Sequence, residues 1–181
     1  FEGALEKLQR AGASITEVDS PMLEEIPGAM PNGGILGAEA FAHHRPRMDE
    51  FKDSYDPRVW VRIRRGENLS AADLIDCHRN RADIIARARE MAMPFDALLM
   101  PTTPIVAPAI AELSASDEAY HAANMLMLRN SSFGNFLDRC ATSLPIHRAG
   151  DAPVGLMVMG ETMGDAKALE VAAGIEAALM A

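Results

Sequence analysis

An apolar run that ends abruptly in prolines constrains this chain more than any other feature. Phe95-Asp-Ala-Leu-Leu-Met100 leads directly into Pro101-Thr-Thr-Pro104, and Pro108 follows. The run reads as a buried strand over 97–100. Each proline lacks an N–H and has a fixed φ, so the segment beyond Met100 cannot continue a sheet ladder. The chain must leave the core sharply there. It then presents Thr102 and Thr103 on a stiff loop at a strand end, where open α/β folds bind ligands.

Periodicity supplies the other elements. Ala4, Leu5 and Leu8 share a helix face, and Ala11-Gly12 offers a stop. Ala13 to Val18 alternates in the manner of a strand. Ser20-Pro21 opens another helix. Residues 26–37 are rich in glycine and proline, but no Gly-Lys-Ser/Thr follows Gly33-Gly34, so no phosphate loop is assigned. Residues 38–44 read as helical, and 58–65 fit a short helix or a strand. Ser70, with Asp73 three residues on, caps a long amphipathic helix that runs to Ala92 and turns Leu74, Ile75, Ala82, Ile85 and Ala86 inward. Ser116 caps a helix over 118–128 whose Met125, Leu126, Met127 and Leu128 fill the core. A second short helix covers 133–138. Ala141–Ile146 and Val154–Met159 make an antiparallel hairpin. Asp165 caps a last helix with Ala168, Leu169, Ala172, Ile175, Glu176 and Leu179 in period. The class is α/β, a mixed β-sheet flanked by helices, in one domain over 1–181.

The chain has 181 residues, and a net charge of −9 argues against a nucleic-acid partner. No apolar stretch spans a membrane and no signal peptide is visible. Cys77 and Cys140 read as two reduced thiols of a cytoplasmic protein. His43 and His44 are adjacent and point about 100° apart on a helix, so they share no metal. His78 has no ligand partner one helical turn away. Neither a metal nor a cofactor is expected. There is no Gly-x-Ser-x-Gly elbow, and Ser131-Ser132 read as helix-cap residues. Cys140 and His147 flank a strand about 20 Å long. Lys7, Lys52 and Lys167 are the only lysines, and none lies in an apolar stretch that would make it a base. No residue is assigned as catalytic.

Blocks along the chain resemble the amidase signature family. They are Phe95–Pro104 with Ala107-Pro108, then Arg129-Asn-Ser-Ser-Phe-Gly-Asn135, Ser143-Leu-Pro145 and Pro153-Val-Gly-Leu-Met-Val-Met-Gly160. Tyr55–Gly66, Leu69–Asp73 and the terminal Ala-Leu-Glu-Val-Ala-Ala helix also match, all in family order. The resemblance implies an enzyme that hydrolyses carboxamides or transfers ammonia from one. Such enzymes use a serine, a second serine preceded by a cis peptide, and a neutral lysine. Glycine-rich backbone N–H groups form their oxyanion hole. Those parts lie in the N-terminal half of family members. This chain therefore resembles the C-terminal portion of the amidase signature fold, inactive alone. Its implied partners are that N-terminal catalytic half and a small-molecule amide. The start at Phe1, running straight into a helix, reads as the middle of a longer polypeptide.

The resemblance also implies site residues. The Pro101-Thr-Thr-Pro104 loop lies near the family's pocket, and Arg62 matches an arginine that holds an α-carboxylate in glutamine-using members. The substrate-binding set is thus Thr102, Thr103, Pro104, Arg62 and Asn135, although Asn135 reads equally as a residue that satisfies local backbone groups. The family's acidic partner for an α-amino group falls on Leu128. That departure favours a standalone amidase over the amidase-like component of a glutamine-using tRNA amidotransferase. Asn135-Phe-Leu-Asp-Arg-Cys140 stands where the family has Asn-x-x-Gly-x-Pro, so this loop has a different shape. A non-catalytic binding or scaffolding α/β module is the alternative from another class. A sheet left partly uncovered would associate into homo-oligomers. Light scattering checks this, and a monodisperse monomer is the result that contradicts it.

Overall fold

The computed structural model describes residues 1–181. Its helices are α1 (Glu2–Arg10), α2 (Met22–Ala29), α3 (Gly34–His44), α4 (Pro57–Arg64), α5 (Ala71–Ala92), α6 (Ile110–Leu113), α7 (Asp117–Phe136) and α8 (Asp165–Met180). Its strands are β1 (Leu98–Pro101), β2 (Ala141–Pro145) and β3 (Gly155–Met159). These elements form two compact units, Ser20–Ala88 and Phe1–Asp19 with Arg89–Ala181. No composition shift in the sequence marks that division.

The second of these units contains the sheet. Its order is β1-β3-β2, and both pairings are antiparallel. The α/β class is as expected. Because the strands are antiparallel, no carboxyl edge is common to all of them, and the ligand rule for open parallel sheets gives no direction here.

Ladder geometry explains how prolines enter this sheet. Thr102 donates its N–H to the Gly155 carbonyl at 2.8 Å, so the ladder runs one residue past Pro101. Backbone groups alternate direction along a strand, so Pro101 faces away from β3. On the other edge, Ile146 donates to the Val154 carbonyl at 3.0 Å, which turns Pro145 outward in the same way. Both prolines sit where no ladder N–H is needed, on the two edge strands. The central strand β3 has none.

The pleat gives β3 two faces. Leu144 and Val158 pack with Ala172 of α8, joined by Ala97, Leu99, Val171 and Ile175. The opposite face carries Met157 and Met159, both buried. Helix α7 approaches that face, because a Cβ on Gly134 would stand 3.4 Å from the Met159 methyl. Burial of Leu156, Val158, Met157 and Met159 is worth roughly 1.5–3 kcal/mol each before the entropy of ordering.

Several elements differ from the sequence reading. Residues 13–18 form no strand. Ile15 and Val18 are three apart, so an extended chain places them on opposite faces and creates no apolar side to bury. Helix α7 is continuous where two helices were expected. Its buried residues are Asn130 and Gly134, with buried Leu137 as its C-cap, while Met125 and Leu128 are exposed. Four consecutive residues span most of a helix circumference, so 125–128 cannot all face inward. On α5 the buried positions are Cys77, Ile84, Ala88 and Ala92, and Ile75 is exposed. Asp165 is the first residue of α8, whose cap is Gly164 with no side-chain bond. Leu169 is exposed.

In the Ser20–Ala88 unit two caps follow the sequence, whereas α2 starts at Met22 with Pro21 as its cap and no side-chain bond, so Ser20 caps nothing. Asp56 accepts from the Arg58 N–H at 2.8 Å with Pro57 opening α4, which settles the helix-or-strand ambiguity there. Ser70 Oγ accepts from the Asp73 N–H at 3.1 Å, and Asp73 Oδ2 accepts from the Ser70 N–H at 2.9 Å. Donation from the Ser70 hydroxyl to Asp73 Oδ2 at 2.6 Å, and then from the Ser70 N–H, holds the Asp73 pKa below the usual carboxylate range. Arg87 donates two bonds to Glu25, at 2.8 and 2.6 Å, and one to Asp83 at 2.9 Å, which ties α5 to α2.

The tightest backbone approach in this unit joins α3 to the 3₁₀ turn Arg65–Asn68. A Cβ on Gly66 would overlap the Gly37 carbonyl, and one on Gly37 would stand 2.7 Å from the Asn32 carbonyl. Backbone cannot give way as a side-chain tip can. Gly66→Ala is expected to cost about 3 kcal/mol. Gly174→Ala in α8, where the added methyl meets open space, should gain about 0.5–1 kcal/mol. Urea unfolding followed by circular dichroism checks both, and an unchanged midpoint for Gly66→Ala contradicts the first.

Candidate functional site

The end of β1 is fixed from three sides. On the ladder side, the Thr102 N–H reaches Gly155. On the outer side, the Pro101 carbonyl faces away from β3 and accepts from Asn130 Nδ2 at 2.7 Å. Asn130 is 5% exposed, and its Oδ1 accepts from Arg129 Nε at 3.2 Å. Both ends of this buried amide are thereby satisfied. Across β3, Thr102 Oγ1 and Ser143 Oγ share a hydrogen bond of 2.6 Å.

Gly155 makes that last contact possible. Thr102 and Ser143 come from the two edge strands and meet above the central one. A Cβ at Gly155 would stand 2.6 Å from Thr102 Oγ1 and would overlap Ser143 Oγ. The glycine is required for space here and not for its φ. Ser143 is exposed and Thr102 is half-buried, so the pair is open to solvent.

The expected site residues fare differently. Thr102, Thr103 and Pro104 share this loop. The Thr103 hydroxyl is turned back to donate to the Ile105 carbonyl at 3.0 Å, so it braces its own loop. Asn135 stands exposed in the last turn of α7, about 140° around the helix from Asn130. Arg62 belongs to the other unit, half-buried on α4 next to buried Ile63. No hydrogen bond or ion pair holds its guanidinium, whereas Arg64 pairs with Glu67. The sequence reading missed Asn130, Ser143 and Gly155. Their only local signals were a polar residue on the inner face of α7 and a small residue in each of two strands.

Other reactive groups have ordinary neighbours. Lys7 Nζ donates to the Leu179 carbonyl at 3.2 Å. Lys52 Nζ lies 5.4 Å from the centre of the Trp60 ring. Lys167 Nζ is 3.3 Å from Asp96. Cys77 is buried, and desolvation pushes its thiol pKa up with help from Asp73 and Asp76. Cys140 Sγ donates to the Glu161 carbonyl at 3.0 Å. His147 Nδ1 meets the Val154 backbone at 3.3 Å, so it forms no pair with Cys140. His44 Nδ1 is 2.8 Å from the Tyr55 hydroxyl. No His, Cys, Asp and Glu side chains group as metal ligands. No helix is long and apolar enough to cross a membrane.

Comparison with known proteins fits this geometry into a family. The family model Amidase matches residues 1–169. The chain belongs to the amidase family. It is 30% identical over 177 residues to a 2-amino-5-chloromuconic acid deaminase of Comamonas testosteroni, covering 97% of this chain and 38% of that protein. It is 31% identical over 144 residues to an amidase of Pseudomonas putida, covering 78% of this chain and 30% of that one. Among solved structures, an allophanate hydrolase of Kluyveromyces lactis superimposes with a TM-score of 0.84 at 24% identity, over 96% of this chain and 28% of that one. The last likeness shows the fold. The chain thus spans well under half the length of these amidase relatives.

Asn130 can be tested without substrate. Asn130→Ala would leave the Pro101 carbonyl and Arg129 Nε without this partner and is expected to lose roughly 2–3 kcal/mol. Urea midpoints of variant and parent check this. An unchanged midpoint contradicts it.

Proposed function

We propose that this chain is the C-terminal segment of an amidase that hydrolyses a carboxamide C–N bond. In this reading the segment supplies sheet core and part of the substrate pocket, and a Ser–cis-Ser–Lys triad elsewhere in the polypeptide cleaves the bond. The match to the Amidase model over residues 1–169 is the observation that carries the reading. The lysines support placing the triad elsewhere, since Lys7, Lys52 and Lys167 are engaged by a carbonyl, an indole and a carboxylate. A neutral catalytic lysine needs a dry site beside a serine.

The substrate-contacting residues in this reading are Thr102 and Pro104, on the loop that Thr103 braces, and Asn135; in the Ser20–Ala88 unit, taken by itself, Arg62 is a further substrate contact. Arg62 suggests a substrate with an anionic group, because a half-buried guanidinium without a counter-charge favours a carboxylate ligand. The Comamonas relative is named for an acid, which agrees. Leu128 in place of an acidic residue argues against a free α-amino group on that substrate. Two free thiols suit a reduced, cytoplasmic setting. Exposed Met125, Leu128 and Leu169 suit homo-oligomerisation.

The complete polypeptide carrying this segment is expected to release ammonia from carboxamides. Arg62→Ala should raise KM for carboxylate-bearing amides about tenfold to hundredfold, the worth of a charged hydrogen bond, and leave neutral amides alone. Ammonia release across a panel of both substrate types checks this. No release from any amide contradicts the amidase reading, and equal effects on both types contradict the role of Arg62.

A further inference from the structure

Thr102 and Ser143 form one polar element with defined hydrogen-bonding capacity. Each hydroxyl has one proton and two lone pairs. The mutual bond at 2.6 Å uses one proton and one lone pair. One proton and up to three lone pairs remain, on two oxygens in contact. Either hydroxyl can be the donor within the pair, so the remaining proton can leave from either oxygen. The absent side chain at Gly155 keeps the floor beneath them flat. Two anchors hold the pair in place, the Thr102 N–H on Gly155 and Asn130 on the Pro101 carbonyl.

That capacity matches an N–C=O group. The O and N of an amide lie about 2.2 Å apart by standard bond lengths, close to the separation of the two hydroxyl oxygens. One hydroxyl donates to the amide oxygen, and the other accepts from the N–H on the same side. We propose that Thr102 and Ser143 together form a recognition subsite for a carboxamide or ureido group, with Gly155 as its floor and Asn130 as a positioning residue. The proposal rests on the amidase reading in that the group bound is a second polar group of the substrate, away from the scissile bond. It deepens that reading by specifying a substrate with two N–C=O groups. A carboxylate offers two acceptors and no donor, so the pair with a single free proton holds it less well.

The test is a titration of the uniformly ¹⁵N-labelled 181-residue chain with acetamide, read from backbone amide shifts. Saturable shifts at Thr102, Ser143 and Gly155 are expected. N,N-dimethylacetamide keeps the carbonyl and lacks the N–H, and should bind about fivefold to tenfold more weakly, the loss of one hydrogen bond. Ser143→Ala should weaken acetamide to a similar degree, and Thr102→Ser should retain it. Equal binding of the two amides, shifts that never localise, or indifference to Ser143→Ala each overturn the subsite. If Ser143→Ala loses its dispersed spectrum, the comparison of the two amides on the parent chain decides alone. Localised binding without ammonia release from the complete polypeptide keeps the subsite and removes the amidase reading. Release without localised binding does the reverse.

Discussion

A single buried amide holds the end of β1 in register with the helix behind it. Asn130 donates to the Pro101 carbonyl from the middle of α7, and that carbonyl is available because proline occupies an outward-facing ladder position. An edge strand leaves a row of such carbonyls unpaired, which is the usual hazard of an edge. Here the proline removes the outward N–H, and the asparagine fills the outward acceptor next to it. The following residue turns back toward β3, so Thr102 is placed by two successive backbone commitments and not by its own preference. Without the bond to Pro101, a buried donor and a buried acceptor would both lose their partner at once.

The elements with local signals were legible. Ser70 with Asp73, Asp56 with Pro57, and the hairpin around Ala149-Gly150 are each written within a few residues of where they act. Pro94 stops α5 close to where the periodicity ends. The stop after Met100 was also visible, although the ladder continues to Thr102 because edge position relaxes the rule against proline. What failed was the assignment of faces. Apolar residues on α5 and α7 outnumber the positions that the neighbouring elements can cover, so composition alone cannot pick Ile84 over Ile75 or bury Met125. The break expected within α7 did not occur: Gly134 is buried within the continuous helix, where an added Cβ would touch the Met159 methyl.

The candidate site was legible in its loop and hidden in its partners. Thr102 and Thr103 are neighbours of the same type, and nothing local separates a threonine that bonds its own loop from one that crosses a strand. Ser143 lies 41 residues from Thr102, and Asn130 lies 29 from Pro101. No periodic pattern encodes those separations. Gly155 had a signal of a kind, since glycine inside a strand marks a close approach. Only the fold identifies the two hydroxyls that make it.

The chemistry these groups can perform follows from their surroundings. A hydroxyl whose neighbour is another hydroxyl has no base to take its proton, because the two groups have nearly equal and very weak acidity. Such a pair recognises and orients but does not ionise. None of the lysines stands beside a hydroxyl either; their neighbours are the Leu179 carbonyl, the Trp60 ring and Asp96. Of the two thiols, that of Cys77 is pushed away from thiolate by burial and by two carboxylates. The chain therefore concentrates neutral donors and acceptors at one strand end and carries an unpaired guanidinium on α4. Bond cleavage calls for a desolvated base, and on this reading the polypeptide that completes the amidase must bring it.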